Sequence, residues 1–309
     1  MKISGFTFVR NAIKLYYPIV ESITSILPIC DEFIVAAGDS DDETTEIIRS
    51  IGSPKIKIIE TVWDPKYFVG GAINAQQTNL ALDHCSGDWA FYLQADEVVH
   101  ERYLPVIKSK LEHYLDVPEV EGFLFAYKHF FGDYEHYQTA HGWYKYEVRI
   151  IRNGLGIRSY RSAKGFRKAD GSKLRVVPVG AEIYHYGWVR PPTKMKQKQI
   201  ALDSLHHSPE WVRRRHPDPT AEFDYGSLER LAKFMDTHPK VMQDRIARMD
   251  WKVSVERSPG VSNQRSRTKS RHRHNRIRVR LLSSLEKVLR TPLFERRNYI
   301  LLKKFSCRS

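Results

Sequence analysis

Cysteine is scarce in this sequence. Its 309 residues include three, Cys30, Cys85 and Cys307, far apart and odd in number. Such a set supports neither a disulfide framework nor a cysteine zinc site. Long apolar runs are missing too, and none reaches the roughly eighteen residues that a membrane-spanning helix needs. The N-terminal Met1-Lys2-Ile3-Ser4-Gly5-Phe6 soon reaches Arg10-Asn11 and lacks a signal peptide's apolar stretch and cleavage site. It reads as a first strand, and the expected location is the cytoplasm. Acidic residues are nearly absent from one segment. Residues 257–309 hold 16 of the 50 Lys and Arg but only Glu286 and Glu295, which leaves 34 basic and 34 acidic residues in 1–256. The body is therefore neutral and the tail carries the whole net charge of +14. This argues against a basic globular surface that grips nucleic acid. It argues for a basic appendage that meets something anionic.

What is present is a globular composition, 41% hydrophobic and 12% aromatic, able to bury a core. Through the first hundred residues, strand-like and helix-like periods alternate. Strands are expected at 3–9, 32–37, 55–60 and 89–93, with helices near 18–27, 45–51 and 74–84. Alternation of this kind predicts an α/β fold: a doubly wound, mainly parallel sheet with helices on both faces. Ligands in such sheets sit beyond the carboxyl ends of the strands. That rule marks Arg10-Asn11, Gly38 to Thr44 and Gln94 to Glu97. A helix is expected at 101–115, then strands at 122–131, 144–152 and 181–186, and a helix at 193–206. Residues 208–256 read as a less regular helical extension, and 257–309 as a basic tail. Residues 1–207 form the main domain.

The strand ending Leu93-Gln94-Ala95-Asp96-Glu97 places acidic and amide oxygens at the sheet's carboxyl edge. Hard oxygen donors of this kind suit Mg2+ or Mn2+. By itself the stretch better describes a helix N-terminus with acids in its first turn.

Four segments together resemble the family 2 glycosyltransferases, which have the GT-A Rossmann-like fold. They are Phe8-Val9-Arg10-Asn11, Gly38-Asp39-Ser40-Asp41-Asp42-Glu43-Thr44, Gly70 to Asn79, and Gly87 to Glu97 with its counterpart of an Asp-X-Asp signature. The resemblance covers roughly residues 1–200. It implies transfer of a sugar from a nucleotide-diphosphate sugar to a glycan or lipid-linked acceptor, inverting and metal-dependent, in polysaccharide or lipopolysaccharide synthesis. By the same resemblance Arg10, Asn11, Asp39, Asp42, Asn79 and Gln94 hold the nucleotide sugar, and Asp96, with Glu97 and His185, holds the metal. Two departures stand out. Gln94 replaces the first Asp of the signature, and Ala37-Gly38 lack the usual base-binding Asp. Arg190 and Lys194, with Lys198 beyond them, offer donors for diphosphate oxygens. Inverting transfer needs a carboxylate base. Glu147 is preferred over Asp133 for that role.

In the tail, Leu281, Leu282, Leu285, Val288 and Leu289 share a helical stripe among basic residues. Residues 265–290 therefore read either as an interfacial anchor on an anionic membrane, at the inner face of the plasma membrane, or as a helix packed on the body. Two further functional readings remain. One is a nucleotidyltransferase, although Arg10-Asn11-Ala12-Ile13 lacks that class's Gly-rich loop. The other is a degenerate transferase fold that binds glycan or RNA.

Overall fold

The computed structural model describes residues 1–251, 277–289, 293 and 297–302. β1 (Ile3–Val9), β2 (Glu32–Ala37), β3 (Ile56–Glu60) and β4 (Trp89–Tyr92) lie parallel in the order β4-β1-β2-β3. The chain returns between them through α1 (Ile19–Ile26), α2 (Thr44–Arg49) and α3 (Ala72–Asp83). The strands alternate their side chains between two cores. Ile3, Phe33, Val35 and Phe91 pack on one face, and Phe6, Ile34, Ala36 and Tyr92 on the other. Burial on both faces is why β1 and β2 read as nearly continuous apolar runs.

Beyond β4 the sheet becomes mixed. β5 (Glu97–Val99) and α4 (Leu104–His113) lead to β6 (Gly122–Phe131), β7 (His136–Gln138) and β8 (Tyr146–Arg152). β8 runs antiparallel between β4 and β6. A small hairpin, β9 (Arg158–Ser159) with β10 (Phe166–Arg167), stands apart as its own sheet. β11 (Leu174–Trp188) is much longer than the six residues expected from the sequence. It pairs parallel to β6 and antiparallel to β5. Its extra length comes from pairing partners remote in sequence, which local periodicity does not register.

α5 (Pro192–Ser204) follows as expected. The helical reading of 208–256 is corrected. Among its described residues only α6 (Pro209–Arg215), a single turn at 240–242 and α7 (Gln243–Ala247) are helical. Pro217 and Pro219 directly follow α6, and Pro239 precedes the later turn. Proline's missing N–H and fixed φ prevent a longer helix. β12 (Ala232–Lys233) joins the main sheet at β7, and Tyr225, Leu228, Phe234, Met242 and Trp251 pack against the body.

α8 (Ile277–Leu289) turns Val279, Ser283 and Glu286 inward and leaves Ile277, Leu281, Leu285 and Val288 exposed. β13 (Tyr299–Leu301) pairs parallel to β11. The Ser- and Arg-rich stretch expected at 258–275 lies outside the described residues. Among the described residues no helix is long and apolar enough to cross a membrane.

Candidate active site

Parallel strands β1, β2, β3 and β4 bring their following loops to one edge, as the switch-point rule requires. At the outer end of this edge, Asn11 adopts φ 57° and ties two loops together. Its N–H donates to Ser40 Oγ at 3.0 Å, and its Oδ1 accepts from the Asp41 N–H at 3.0 Å. Asp42 is used in the same way. It accepts from the backbone N–H groups of Lys14 and Thr44 and from the Thr44 hydroxyl. Asp39 pairs with Arg10 and accepts from the Trp63 N–H. These residues shape the loops, and Arg10 lies 5.5 Å above the Trp63 indole.

Trp63 explains the missing family Asp. A Cβ on Gly38 would lie 2.4 Å from Trp63 Nε1, so the indole fills the space that a side chain at 38 would take. Its buried Nε1–H has no protein partner among the described residues. The edge thus presents a donor where the family presents a carboxylate.

Asn79 does not face this edge. It exchanges two hydrogen bonds with the Ser159 backbone, at 2.8 and 3.1 Å, and pins the β9–β10 hairpin to α3. One donor and one acceptor of its amide thus serve the hairpin. Glu97 is also held within the protein. It is fully buried, and Arg149 grips both its oxygens at 2.7 and 2.8 Å while Tyr127 donates at 2.8 Å. The Gln94 N–H donates to Glu97 as well. A carboxylate so saturated has no lone pair directed at a metal. Asp133 accepts from the N–H groups of Glu135 and His136 and from the His136 ring, bracing its own turn. Glu147, the preferred base, lies on β8 with an oxygen 3.7 Å from where a Cβ on Gly165 would stand, so it faces the hairpin loop.

The centre of the site is Asp96, buried between β4 and β5. Lys198 on α5 donates to its Oδ2 at 2.9 Å and to the Gly187 carbonyl at 2.7 Å. His185 Nε2 stands 3.7 Å from Oδ1, and Arg190 Nη2 4.0 Å from Oδ2. Burial works to raise the Asp96 pKa, but Lys198 and the neighbouring cationic groups outweigh it and hold the carboxyl well below its usual range. Burial pulls Lys198 down to about 8, with Arg190 adding repulsion and Asp96 opposing both. Lys194, half-buried, sits one turn earlier on α5.

Arg190 is completely buried. One nitrogen donates to the Leu15 carbonyl, and the guanidinium lies 4.9 Å from the Tyr17 ring. Its Nε and Nη2 have no hydrogen-bond partner among the described residues, although Nη2 lies in ion-pair range of Asp96. Buried donors are almost always satisfied, so two orphans on a cation mark a place for an anionic ligand.

His185 is oriented by a residue that the sequence reading did not single out. β11 runs beside β6 with His185 opposite His129, and the two Nδ1 atoms lie 3.0 Å apart. His129 Nε2 is 2.7 Å from the Tyr144 carbonyl, an acceptor only, so this nitrogen carries the proton. Burial, aided by His185, lowers His129 to about 3 and keeps it neutral, so its Nδ1 accepts. His185 Nδ1 must then donate, which leaves Nε2 with a lone pair aimed toward Asp96. Burial also lowers His185, to about 4. The register shift between His185 and Trp188 carries Gly187 over the pair. A Cβ there would lie 2.5 Å from His185 Nε2 and 2.7 Å from Asp96 Oδ2.

Asp96 Oδ1 and His185 Nε2 are therefore two acceptors side by side beneath a glycine. Their chemistry fits Mn2+ or Mg2+. Among the described residues no cluster of three or more His, Cys, Asp or Glu forms a complete cage. With Lys198 and Arg190 beside Asp96, the net charge favours a cation arriving with a diphosphate over a cation alone.

Known proteins were compared with the chain. No curated protein sequence matches. Solved structures give remote likenesses. TarS 1–349 of S. aureus is 14% identical over 66% of this chain and 65% of that one, with TM-score 0.38. Mannosyl-3-phosphoglycerate synthase of Rubrobacter xylanophilus is 20% identical over 42% and 41%, with TM-score 0.29. Glucosyl-3-phosphoglycerate synthase of Mycobacterium tuberculosis, solved with Mn2+, UDP and phosphoglyceric acid, is 21% identical over 41% and 43%, with TM-score 0.28. This chain spans less than two thirds of each. The sequence model of glycosyl transferase family 2 matches residues 9–172, more than half of the chain and all four loops of the parallel edge. The chain belongs to glycosyl transferase family 2.

Proposed function

We propose that the chain transfers a glycosyl unit from a nucleoside-diphosphate sugar to a hydroxyl of a glycan or lipid-linked acceptor, with inversion. The observation that carries this reading is the pair of orphaned, buried Arg190 donors beside Asp96 and Lys198, at the carboxyl edge of the parallel strands. A diphosphate satisfies them. In the transfer the acceptor oxygen bonds to the anomeric carbon, and the bond from that carbon to the diphosphate oxygen breaks with its electron pair. Arg190 and Lys198 meet the charge that develops on the leaving diphosphate. Glu147 takes the acceptor proton. Asp96 and His185 would hold a divalent cation, and when bound it supplies further charge neutralisation to the diphosphate.

The exposed apolar row of α8, next to a strongly basic segment, supports peripheral attachment to an anionic membrane. Cell-surface polysaccharide or lipopolysaccharide synthesis, on the cytoplasmic face, agrees with that attachment.

Calorimetry with a panel of nucleotide sugars, with and without Mn2+, tests the donor side. Binding of at least one of them, enhanced by Mn2+ and lost in Asp96→Ala, is expected. If none binds under either condition, the transferase reading fails, and the degenerate or nucleotidyltransferase alternatives take its place.

A further inference from the structure

α8 packs inside out. The side it turns to the body carries Ser283 and Glu286 beside Val279, while Leu281, Leu285 and Leu289 face outward. A helix that merely completed a core would do the reverse. The reason lies beneath it. A cleft of about 510 Å³ separates α8 from β6 and the start of β8, lined by Tyr137, Trp143, Tyr144, Lys145, Tyr146 and Glu286 among others. Glu286 is buried there, bound by His141 at 2.8 Å, Lys145 at 3.2 Å and the Leu293 N–H at 2.8 Å. The polar face of α8 is thus one wall of a cleft.

The opposite wall is aromatic and braced. Tyr144 stands edge-on to His129 with ring centres 4.4 Å apart, and Tyr127 lies 5.0 Å from Tyr144. Trp143 packs against His129 at 5.0 Å and Trp188 at 5.8 Å. Tyr144 and Tyr146 nevertheless remain 38% and 42% exposed. Rigid aromatic faces left open to solvent, opposite charged and hydroxyl groups, match a sugar ring. Its C–H faces stack on aromatics, and its hydroxyls around the rim need donors and acceptors. The cleft also reaches the reacting centre. His129 lines it and binds His185.

We propose that this cleft is the acceptor subsite and takes a saccharide, stacked on Trp143 and Tyr144 and hydrogen-bonded across to the Lys145–Glu286 side. The proposal rests on the transferase reading above. It gives the C-terminal helix a place in the active centre.

The test uses the full chain and saturation-transfer NMR. The probes are hexose and N-acetylhexosamine disaccharides, free and joined to a short polyprenyl diphosphate. Alongside it, calorimetry with the nucleotide sugar that binds reports the donor side. We expect at least one disaccharide to bind, and both Trp143→Ala and Tyr146→Ala to weaken it about tenfold with nucleotide-sugar affinity unchanged. Weakening of free and carrier-linked forms alike supports the subsite and assigns recognition to the sugar. Weakening seen with the carrier-linked form alone also supports it and assigns the acceptor to lipid-linked glycans. Saccharide binding equal to the native chain in both variants would overturn the proposal, as would no saccharide binding while the nucleotide sugar binds. Failure of the nucleotide sugar to bind would instead reject the transferase reading.

Discussion

His129 enters the site through one hydrogen bond, yet that bond decides which nitrogen of His185 faces Asp96. Removing the ring frees His185 Nδ1–H from its acceptor and lets the other tautomer form. His129→Ala should therefore weaken Mn2+ binding to the protein loaded with the nucleotide sugar that binds, about 10- to 100-fold, measured by paramagnetic resonance titration. His129→Gln, which keeps a carbonyl acceptor, should recover part of the loss. Unchanged Mn2+ affinity in the alanine variant would remove His129 from the positioning role. Arg190 makes a complementary prediction. Its orphaned donors do little for the empty protein, because a buried cation with unmet hydrogen bonds is costly. Arg190→Met should hold the unfolding temperature within a few degrees while affinity for the nucleotide sugar that binds falls at least tenfold, about the worth of one charge-assisted hydrogen bond. A variant that binds it as tightly as the native chain would contradict the anion site.

At the scale of elements, the parallel strands are clamped at the end opposite the site. Glu32 begins β2 and accepts from Ser4 on β1, from Lys57 on β3, and from both the N–H and hydroxyl of Ser86 ahead of β4. Burial alone would raise its pKa, but the hydrogen bonds from Lys57, Ser4 and Ser86 prevail and bring it from 4.5 down to about 2. A depressed folded-state pKa contributes stability above 4.5 and loses it as pH falls toward 2. Glu32→Gln should thus melt below the native chain at pH 7, and the gap should close as pH falls through that window. A gap independent of pH, seen by calorimetric melting, would mean that the charge contributes nothing. β2 itself was legible to the residue, because the buried run from Phe33 to Ala37 leaves an unbroken apolar signal after Glu32. The span of β11 was not, since only its pairing with β5, β6 and β13 defines it.

For the whole molecule, charge and apolar surface converge on α8. Ile277, Leu281, Leu285 and Val288 are exposed on one side of the helix, and the basic segment before it carries half of the chain's excess charge. Replacing Leu281, Leu285 and Val288 together by Ser should abolish flotation with anionic liposomes and leave the fold intact, because none of the three is buried. Each basic residue near such a surface adds about 1 kcal/mol, so raised salt should release the native chain as well. Flotation that persists in the triple variant would exclude the helix as the anchor.

The sequence alone determined the parallel half of the sheet, the carboxyl edge where its loops gather, and the family. All of these follow from short-range periodicity and from motifs at strand ends, which the chain carries locally. It could not separate Asp96 from Glu97, adjacent acids in one motif. Only the fold seals Glu97 against Arg149 and leaves Asp96 facing Lys198, Arg190 and His185. Nor could it show His129, whose role exists because β6 and β11 run side by side 56 residues apart in the chain. Glu286 was an isolated acid in a basic tail, and the packing of α8 places it in a cleft wall. Local spacing sets where a strand ends. Which buried charge finds a partner, and which is left open for a ligand, depends on contacts that form only when distant segments meet.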